Sequence, residues 1–195
     1  YDPAVGAAYL VLTEAQRVTL KALRGASRVV TVPHGVDLPA EPTPRGELEA
    51  RYRIDGPVVL YPAITYPHKN HLTLVEAFAT VVTHRPDALL VLPGGEGGGE
   101  AEVLARISVL GLGDRVRRLG RIPAADVAGL YDLAAVVAVP SRYEGFGLPA
   151  AEAMAHGAAL IAADATALPE VVADAGVLVA PDDPVAWAAA LSALL

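Results

Sequence analysis

Two glutamates on either side of a glycine-containing loop are the first candidates for chemistry in this 195-residue sequence. Glu144 and Glu152 are eight positions apart, and Gly145 and Gly147 lie between them. Glycines let a ligand approach the backbone closely, and the N–H groups at the start of a helix favour an anion such as a diphosphate. A carboxylate is tolerated beside that anion when it accepts hydrogen bonds from hydroxyl groups, as an acidic residue does with a ribose in dinucleotide folds.

A lysine is the candidate in a second loop, residues 61–71. This loop follows a strand pattern and precedes a helical one, so Lys69 is expected near a helix start, where a cation can meet a diphosphate. A simpler alternative stays open for each group. Lys69 could be a solvated lysine, Glu144 a solvated loop residue, and Glu152 an i,i+4 partner of His156.

The elements around these loops alternate between apolar strands and amphipathic helices. This alternation predicts an α/β fold with a doubly wound, Rossmann-like parallel sheet, whose ligands bind beyond the C-terminal ends of the strands. A Pro-rich linker is expected at 33–44, and a flexible turn at the glycine-rich loop 93–99. The predicted strands are 28–33, 57–61, 88–92, 116–119, 134–139, 158–162 and 177–179, and the predicted helices are 13–23, 70–84, 100–110, 124–131, 149–156, a short helix near Pro169, and 184–195.

The composition excludes several classes of function. The net charge is −7, from 15 basic and 22 acidic residues, and no basic run suggests nucleic acid as a partner. The absence of cysteine excludes disulfides, thiolate zinc sites and thiol nucleophiles, and it fits a reducing, cytoplasmic location. Neither a signal peptide nor a run of roughly 18 apolar residues is present, so no transmembrane segment is expected.

Other familiar motifs fail on inspection. The loop 93–99 does not complete a G-x-G-x-x-G motif, because Gly95 and Gly97 would require a glycine where Glu100 stands. His68 and His71 are three positions apart, but no carboxylate follows at a spacing typical of a metal site. We therefore expect neither a dinucleotide motif of this type nor a bound metal.

The segment 140–157, PSRYEGFGLPAAEAMAHG, resembles the Glu-x7-Glu signature of family GT4, whose members are retaining glycosyltransferases of the GT-B fold. The resemblance implies that Glu144 holds hydroxyls of the donor sugar in the catalytic centre and that Glu152 holds the ribose. It also implies that backbone amides contact the donor at Gly145, Phe146, Gly147 and Leu148.

Further segments are similar to the same family. The loop 61–71 resembles the one in which a lysine contacts the donor phosphates, so Lys69 is the second catalytic candidate. Many relatives carry an arginine five positions earlier, where this chain has Ile64, and His68 or Arg142 could compensate. Residues 120–122 resemble the backbone that cradles the nucleotide base, which implicates Arg121 and Ile122.

Two weaker matches complete the resemblance. Residues 32–37, VPHGVD, resemble the family's junction between a strand and the interdomain linker. Residues 168–170 resemble a Pro-Glu segment near the diphosphate, but we interpret Glu170 as an ordinary first-turn glutamate that the helix dipole favours.

A GT-B enzyme, as the resemblance implies, has two Rossmann-like domains with the active site between them. Residues 37–195 would be the C-terminal, nucleotide-sugar-binding domain, and residues 1–36 the tail of the N-terminal acceptor domain or a linker. A catalytic cleft needs both walls to orient the reactants and exclude water, so this chain should bind nucleotide but transfer little sugar alone.

The complete enzyme is expected to transfer a hexosyl group with retention, from a nucleotide-diphosphate sugar and without a metal, to a sugar, lipid or glycoconjugate acceptor. Peripheral membrane association through the N-terminal half is compatible with this role. Two alternatives remain. One is a sugar-nucleotide epimerase of the same fold, which would need further acid–base residues. The other is a catalytically inactive nucleotide-binding module.

Overall fold

The computed structural model describes residues 9–24, 28–38 and 41–195. The strands are β1 Tyr9–Val11, β2 Val29–Thr31, β3 Val58–Leu60, β4 Leu89–Pro93, β5 Val116–Gly120, β6 Val136–Val139, β7 Leu160–Ala163 and β8 Val177–Val179. The helices are α1 Glu14–Arg24, α2 Arg45–Tyr52, α3 His71–His84, α4 Glu100–Val109, α5 Ala124–Leu133, α6 Leu148–Ala155, α7 Leu168–Val172 and α8 Pro184–Leu194, with a 3-10 helix at Pro67–Lys69.

Strands β3 to β8 form one six-stranded parallel sheet in the order β5-β4-β3-β6-β7-β8. The chain builds outward from β3 through β4 to β5, then crosses back to β6 and continues outward on the other side. The strand order therefore reverses between β3 and β6, which pair through Val59 and Val136. Such a reversal opens a crevice between the loops that leave the two central strands. The predicted doubly wound Rossmann-like fold is confirmed.

The central strands are buried on both faces. All residues of β3 and β6 have no measurable solvent exposure, which explains why both are continuous apolar runs rather than alternating ones. Because crossovers between parallel strands are right-handed, the reversed strand order implies that α3 and α4, which contact each other, cover one face and that α6 and α7 cover the other. Helix α8 packs against α3, and its Trp187 is fully buried, with the indole N–H donating to the Ala180 carbonyl at 3.0 Å.

Strands β1 and β2 form a separate two-stranded parallel sheet joined by α1. Thr13 caps α1, since its hydroxyl accepts from the Gln16 amide at 3.3 Å, and the Gln16 side chain accepts from the amide of Leu12 at 2.9 Å. The predicted domain boundary between residues 36 and 37 falls in 32–38, which has neither helix nor strand, and it stays a prediction.

Glu170 does more than the expected first-turn glutamate. It lies in the first turn of α7, but its carboxylate accepts hydrogen bonds from the backbone amides of Glu14 at 2.7 Å and Ala15 at 3.1 Å. These amides begin α1 and have no partner within their own helix. Glu170 thus caps α1 and ties the two-stranded unit to the main sheet.

Helix α2, which the sequence patterns did not predict, is fastened to α5 by a buried carboxylate. Asp126 accepts hydrogen bonds from the Thr43 hydroxyl at 2.6 Å, from Arg51 at 2.6 and 2.7 Å, and from the Tyr52 hydroxyl. Burial raises the pKa of Asp126, but these hydrogen bonds outweigh burial and hold the pKa below its ordinary value. Because Thr43 also donates its amide to Ala125 at 3.0 Å, the start of α2 has little freedom to move.

This contact makes Gly129→Ala informative. A Cβ at Gly129 would lie far inside van der Waals contact with the Thr43 carbonyl and 2.8 Å from Leu48 Cδ1. Alanine in a helix gains about 1 kcal/mol over glycine, but overpacking against a fixed backbone costs more. We expect a net loss of about 1–3 kcal/mol in the free energy of unfolding, measured by urea denaturation. Gly113→Ala, where a Cβ meets nothing within 4 Å, should change it by less than about 0.5 kcal/mol, and equal effects would contradict the prediction.

Candidate functional site

The two candidate loops meet at the point where the strand order reverses. Lys69 ends the 3-10 helix that follows β3, and Glu144 lies in the loop that follows β6. Lys69 Nζ and Glu144 Oε1 form an ion pair at 2.7 Å, with 18% and 9% of the two side chains exposed. The structure therefore excludes the interpretation of Lys69 and Glu144 as two independent solvated residues.

Two buried hydroxyl groups hold this ion pair in place. Ser141 Oγ donates to Glu144 Oε1 at 2.8 Å, and Tyr61 Oη lies 2.8 Å from Ser141 Oγ. Tyr61 Oη also donates to the carbonyl of Lys69 at 2.9 Å. Complete burial raises the pKa of Tyr61 well above its ordinary value, so this hydroxyl stays protonated. Neither Tyr61 nor Ser141 was among the predicted site residues, although Tyr61 ends one predicted strand and Ser141 lies two residues beyond another.

Glu144 keeps one oxygen available. Its backbone amide donates to Thr166 Oγ1 at 3.0 Å, and both side-chain contacts fall on Oε1. Within the described ranges, Oε2 accepts no hydrogen bond. A carboxylate that is fixed through one oxygen and free at the other can orient a hydroxyl of a ligand.

The loop between Glu144 and α6 presents unused backbone donors. In the part of the chain that the structure describes, the amides of residues 145–148 donate to no acceptor, and α6 has no side-chain cap. Gly147 adopts φ = +98°, and a Cβ there would lie 2.7 Å from Leu168 Cδ2. Consecutive free N–H groups at a helix start are suited to bind an anion, and the anion site expected here stays a prediction.

Glu152 lies in a neighbouring cleft of about 360 Å³, together with Ile122 and Tyr131. Tyr131 Oη donates to Glu152 Oε2 at 2.7 Å. The alternative pairing of Glu152 with His156 is wrong, because His156 Nδ1 instead contacts Asp132 Oδ1 at 2.7 Å. The structure thus brings Glu152 and Ile122 together, as expected for two residues of one binding cleft.

Phe146 lies in the loop between β6 and α6, and Arg121 directly follows β5. The Phe146 ring meets the exposed His34 edge-on, with 5.6 Å between ring centroids. Arg121 is exposed and covers Gly95, where a Cβ would lie 3.1 Å from Arg121 Nε. Among the described residues, no carboxylate forms an ion pair with Arg121.

The glycine-rich loop 93–99 is held firmly, contrary to the expected flexible turn. Thr65 contacts it through three hydrogen bonds, which join its amide to the Gly95 carbonyl, its hydroxyl to the Gly97 amide and its carbonyl to the Gly99 amide. Arg118 donates to the carbonyls of Gly94 at 2.6 Å and Gly95 at 3.0 Å. These glycines provide close packing, since a Cβ at Gly97 would lie 2.7 Å from Thr65.

Arg118 is itself paired with Glu100, at 2.9 Å and with both groups largely buried. Burial opposes ionisation of Glu100, but hydrogen bonds from Arg118 and Thr65 keep its pKa below the ordinary value. Arg118 was not among the predicted site residues. The signal was present, because an arginine inside a strand pattern requires a partner when the strand is covered.

The suggested replacements for the arginine absent at Ile64 are not free cations beside the ion pair. Arg142 Nε pairs with Asp182 Oδ1 at 2.7 Å, and its Nη1 donates to the Pro67 carbonyl at 3.1 Å. His68 stacks on Tyr66 with 5.8 Å between ring centroids. Lys69 is therefore the cation that the fold places against Glu144.

A further cleft of about 340 Å³ separates α1 from the Glu144 loop. Its walls are mostly apolar and include Gln16, Leu20, Tyr143 and Glu144. Glu144 therefore borders this cleft on one side and contacts Lys69 on its other side. The described residues contain no group of three side chains suited to hold a metal ion and no helix long and apolar enough to cross a membrane.

His71 begins α3 beneath these loops. Its ring lies against Tyr61, with 4.8 Å between centroids, and neither ring nitrogen has a hydrogen-bond partner among the described residues. Burial, followed by the positive charge of Arg118, lowers the pKa of His71 to about 4. His71 is therefore neutral and serves as packing for the floor of the site.

Comparison with known proteins places this site in a family context. Residues 56–195 match the family model for glycosyl transferases group 1, and this range contains Lys69, Glu144 and Glu152. The D-inositol 3-phosphate glycosyltransferase of Salinispora tropica is 38% identical over 188 residues, which cover 87% of this chain and 39% of that protein. The chain spans about two-fifths of the length of this relative and about half of that of the D-inositol 3-phosphate glycosyltransferase of Xylanimonas cellulosilytica.

Solved structures agree with this relationship. Sucrose-phosphate synthase from Thermosynechococcus elongatus superposes with a TM-score of 0.82 at 31% identity, covering 95% of this chain and 48% of that one. Anabaena Alr3699/HepE, in complex with UDP and glucose, superposes with a TM-score of 0.84 at 24% identity, covering 95% of this chain and 53% of that one. The latter similarity concerns the fold alone.

The lowered pKa of His71 predicts a pH-dependent stability. Between pH 6.5 and about pH 4 the unfolded chain binds a proton at this residue that the folded chain does not, so stability falls as the pH falls. We expect this residue to contribute a loss of roughly 3 kcal/mol across that range. His71→Leu should remove this part of the slope in urea unfolding measured from pH 7 to pH 4. Parallel curves for the two proteins would contradict the assignment.

Proposed function

The chain belongs to the group 1 glycosyl transferase family, and we propose that it supplies the donor-binding half of a GT4-like enzyme. The observation that carries this proposal is the 2.7 Å ion pair between Lys69 and Glu144, beside the free amides of residues 145–148. The cation and the backbone donors suit the diphosphate, and the carboxylate, which has one oxygen without a hydrogen bond, suits a hydroxyl of the sugar.

In this proposal Lys69 and the free amides bind the diphosphate. Both are fixed before the ligand arrives, Lys69 by its 3-10 helix and the amides by the left-handed turn at Gly147. When the bond from sugar to phosphate breaks, negative charge grows on the departing diphosphate. Donors already aimed at that charge stabilise the transition state without reorganising, which is electrostatic catalysis.

Glu144 would orient the sugar rather than attack it. Its Oε1 is occupied by Lys69 and Ser141, while Oε2 is available to a sugar hydroxyl. A carboxylate stabilised by two hydrogen bonds is a weaker nucleophile than a free one. We propose retention of configuration without a covalent adduct at this residue, and a trapped glycosyl–Glu144 species would contradict that role.

The nucleotide would lie along the cleft that contains Glu152. Glu152 can accept hydrogen bonds from the ribose, and Ile122 with the backbone at Arg121 can border the base. The structures of Alr3699/HepE contain UDP or UDP-glucose, which makes uridine nucleotides the first probes for this chain. The relatives described above are named transferases or synthases, which supports transfer over epimerisation.

The acceptor would approach Glu144 from the cleft beside α1. Because the chain spans about half or less of its curated relatives, we propose that transfer to a sugar, lipid or glycoconjugate requires a longer protein, in which a second domain closes this cleft. We further propose that transfer proceeds without a metal, since Lys69 and the backbone donors supply the positive charge. The cysteine-free sequence is compatible with a cytoplasmic enzyme, associated with a membrane only through that second domain.

A nucleotide panel tests donor binding directly. UDP, GDP, ADP and their common sugar conjugates should raise the melting temperature in one base series only. A hundredfold excess over Kd stabilises the native state by about 2.7 kcal/mol, which corresponds to several degrees for a chain of this size. Glu152→Ala should reduce the shift to about half, because a tenfold loss of affinity leaves about 1.4 kcal/mol, whereas Glu76→Ala, which breaks a surface ion pair with Arg106, should preserve it. No shift with any nucleotide would contradict donor binding by this chain.

The ion pair predicts opposite effects for its two members. Lys69→Met should weaken binding of a nucleoside diphosphate about tenfold or more, because a charge-assisted contact to phosphate is lost. Glu144→Gln should preserve or strengthen that binding, because Lys69 loses its competing partner, yet it should remove the extra affinity that the sugar provides. Calorimetry measures both effects. The ligands are UDP and UDP-glucose or, if the nucleotide panel identifies another base, the nucleoside diphosphate of that base and its sugar conjugate. Equal weakening of both ligands by both variants would contradict the assigned roles.

A further inference from the structure

We infer that Tyr131 is a positioning residue that fixes Glu152 so that one carboxylate oxygen faces the ribose of the nucleotide. This inference rests on the proposed function, because it assigns the cleft of Glu152 to the nucleotide. It adds a residue, a mechanism and a ligand preference to that proposal. The preference is for a ribonucleotide over its 2′-deoxy counterpart.

The contact between Tyr131 and Glu152 joins two helices. Tyr131 lies near the end of α5 and Glu152 in the middle of α6. Tyr131 Oη donates to Glu152 Oε2 at 2.7 Å and lies 3.3 Å from the carbonyl of Pro149. Among the described residues, Glu152 Oε1 has no hydrogen-bond partner, so it is the oxygen that a ligand can use.

The tyrosine is a dependable donor because of its surroundings. It is 2% exposed, and burial, together with the negative charge of Glu152, raises its pKa far above the ordinary value. The hydroxyl therefore keeps its proton at neutral pH. An ionised carboxylate only accepts hydrogen bonds, so a diol is a suitable ligand for its free oxygen.

Tyr131 is also held from its other side. The ring of His156 stacks on the Tyr131 ring with 5.2 Å between centroids and 11° between planes. His156 Nδ1 contacts Asp132 Oδ1 at 2.7 Å, which fixes the imidazole. The order of contacts is Asp132, His156, Tyr131, Glu152, and it begins at an exposed carboxylate and ends in the cleft.

The cleft has the chemistry of a nucleoside site. Glu152 and Asp37 are its acidic residues, and most of its remaining lining is apolar, including Leu38, Ile122 and Val127. An apolar wall suits the face of a base, and a fixed carboxylate suits the sugar beside it. A glutamate has three rotatable side-chain bonds, so fixing it before binding removes an entropic cost from the ligand contact.

The test compares ribo- and deoxyribonucleotides. Binding of UDP, GDP and ADP, and of their 2′-deoxy forms, is measured by calorimetry on the 195-residue chain and on Tyr131→Phe. The wild-type chain should bind one ribonucleotide about tenfold or more tightly than its 2′-deoxy form, the value of a hydrogen bond to a charged group. Tyr131→Phe should reduce this ratio to less than about threefold. A loss of folding alone would not produce that change, because both ligands would weaken together.

Two further variants isolate the mechanism. Tyr52→Phe removes a tyrosine–carboxylate hydrogen bond to Asp126 outside the cleft, and it should keep the wild-type ratio. In a Glu152→Gln background, Tyr131→Phe should have no further effect on the ratio, because Tyr131 acts through Glu152. Circular dichroism of each variant verifies its fold.

Each other outcome is decisive. If Tyr131→Phe keeps the wild-type ratio, or still lowers it in the Glu152→Gln background, the inference fails while donor binding stands. If the wild-type chain binds a ribonucleotide and its deoxy form equally, the inference fails in the same way. If it binds none of the six nucleotides, the proposed function fails, and the inference fails with it.

Discussion

The ion pair between Lys69 and Glu144 depends on one topological fact, the reversal of strand order between β3 and β6. Two charged groups that are largely removed from water need each other, since an unpaired buried charge costs several kcal/mol. The parallel sheet ends both central strands at one edge, and Tyr61 and Ser141, which lie within two residues of those ends, join the two loops. The site is thus continuous with the buried core, because Tyr61 and Ser141 are both fully buried.

Helix α6 carries the other proposed ligand-binding groups, the free amides and Glu152. Its start presents the free amides and its middle carries Glu152, so the helix spans the distance between the two clefts. Tyr131 connects α6 to α5, and Asp126 connects α5 to α2. A sugar diphosphate extended over this helix would meet rigid groups along its length, which favours preorganised binding over rearrangement on contact.

The sequence predicted the sheet well because its strands are buried apolar runs and its helices begin and end at strong signals, such as Gly157 after α6. Lys69, Glu144 and Glu152 were found because their loops follow such strands. Contacts between distant positions were not predicted, because no local pattern encodes them. Examples are the hydrogen bond from Tyr131 to Glu152 and the capping of α1 by Glu170. The loop 93–99 was misjudged because glycine was taken as a sign of freedom, whereas here it permits contact with Thr65.

The same ion pair has a consequence for how a ligand arrives. Lys69 is already neutralised by Glu144, and the chain as a whole carries a charge of −7. A doubly charged anion in solution therefore meets no long-range attraction, and its capture is governed by diffusion and short-range contact rather than by electrostatic steering. Association should accordingly gain little from lower ionic strength, and selectivity resides in how slowly the matched ligand leaves.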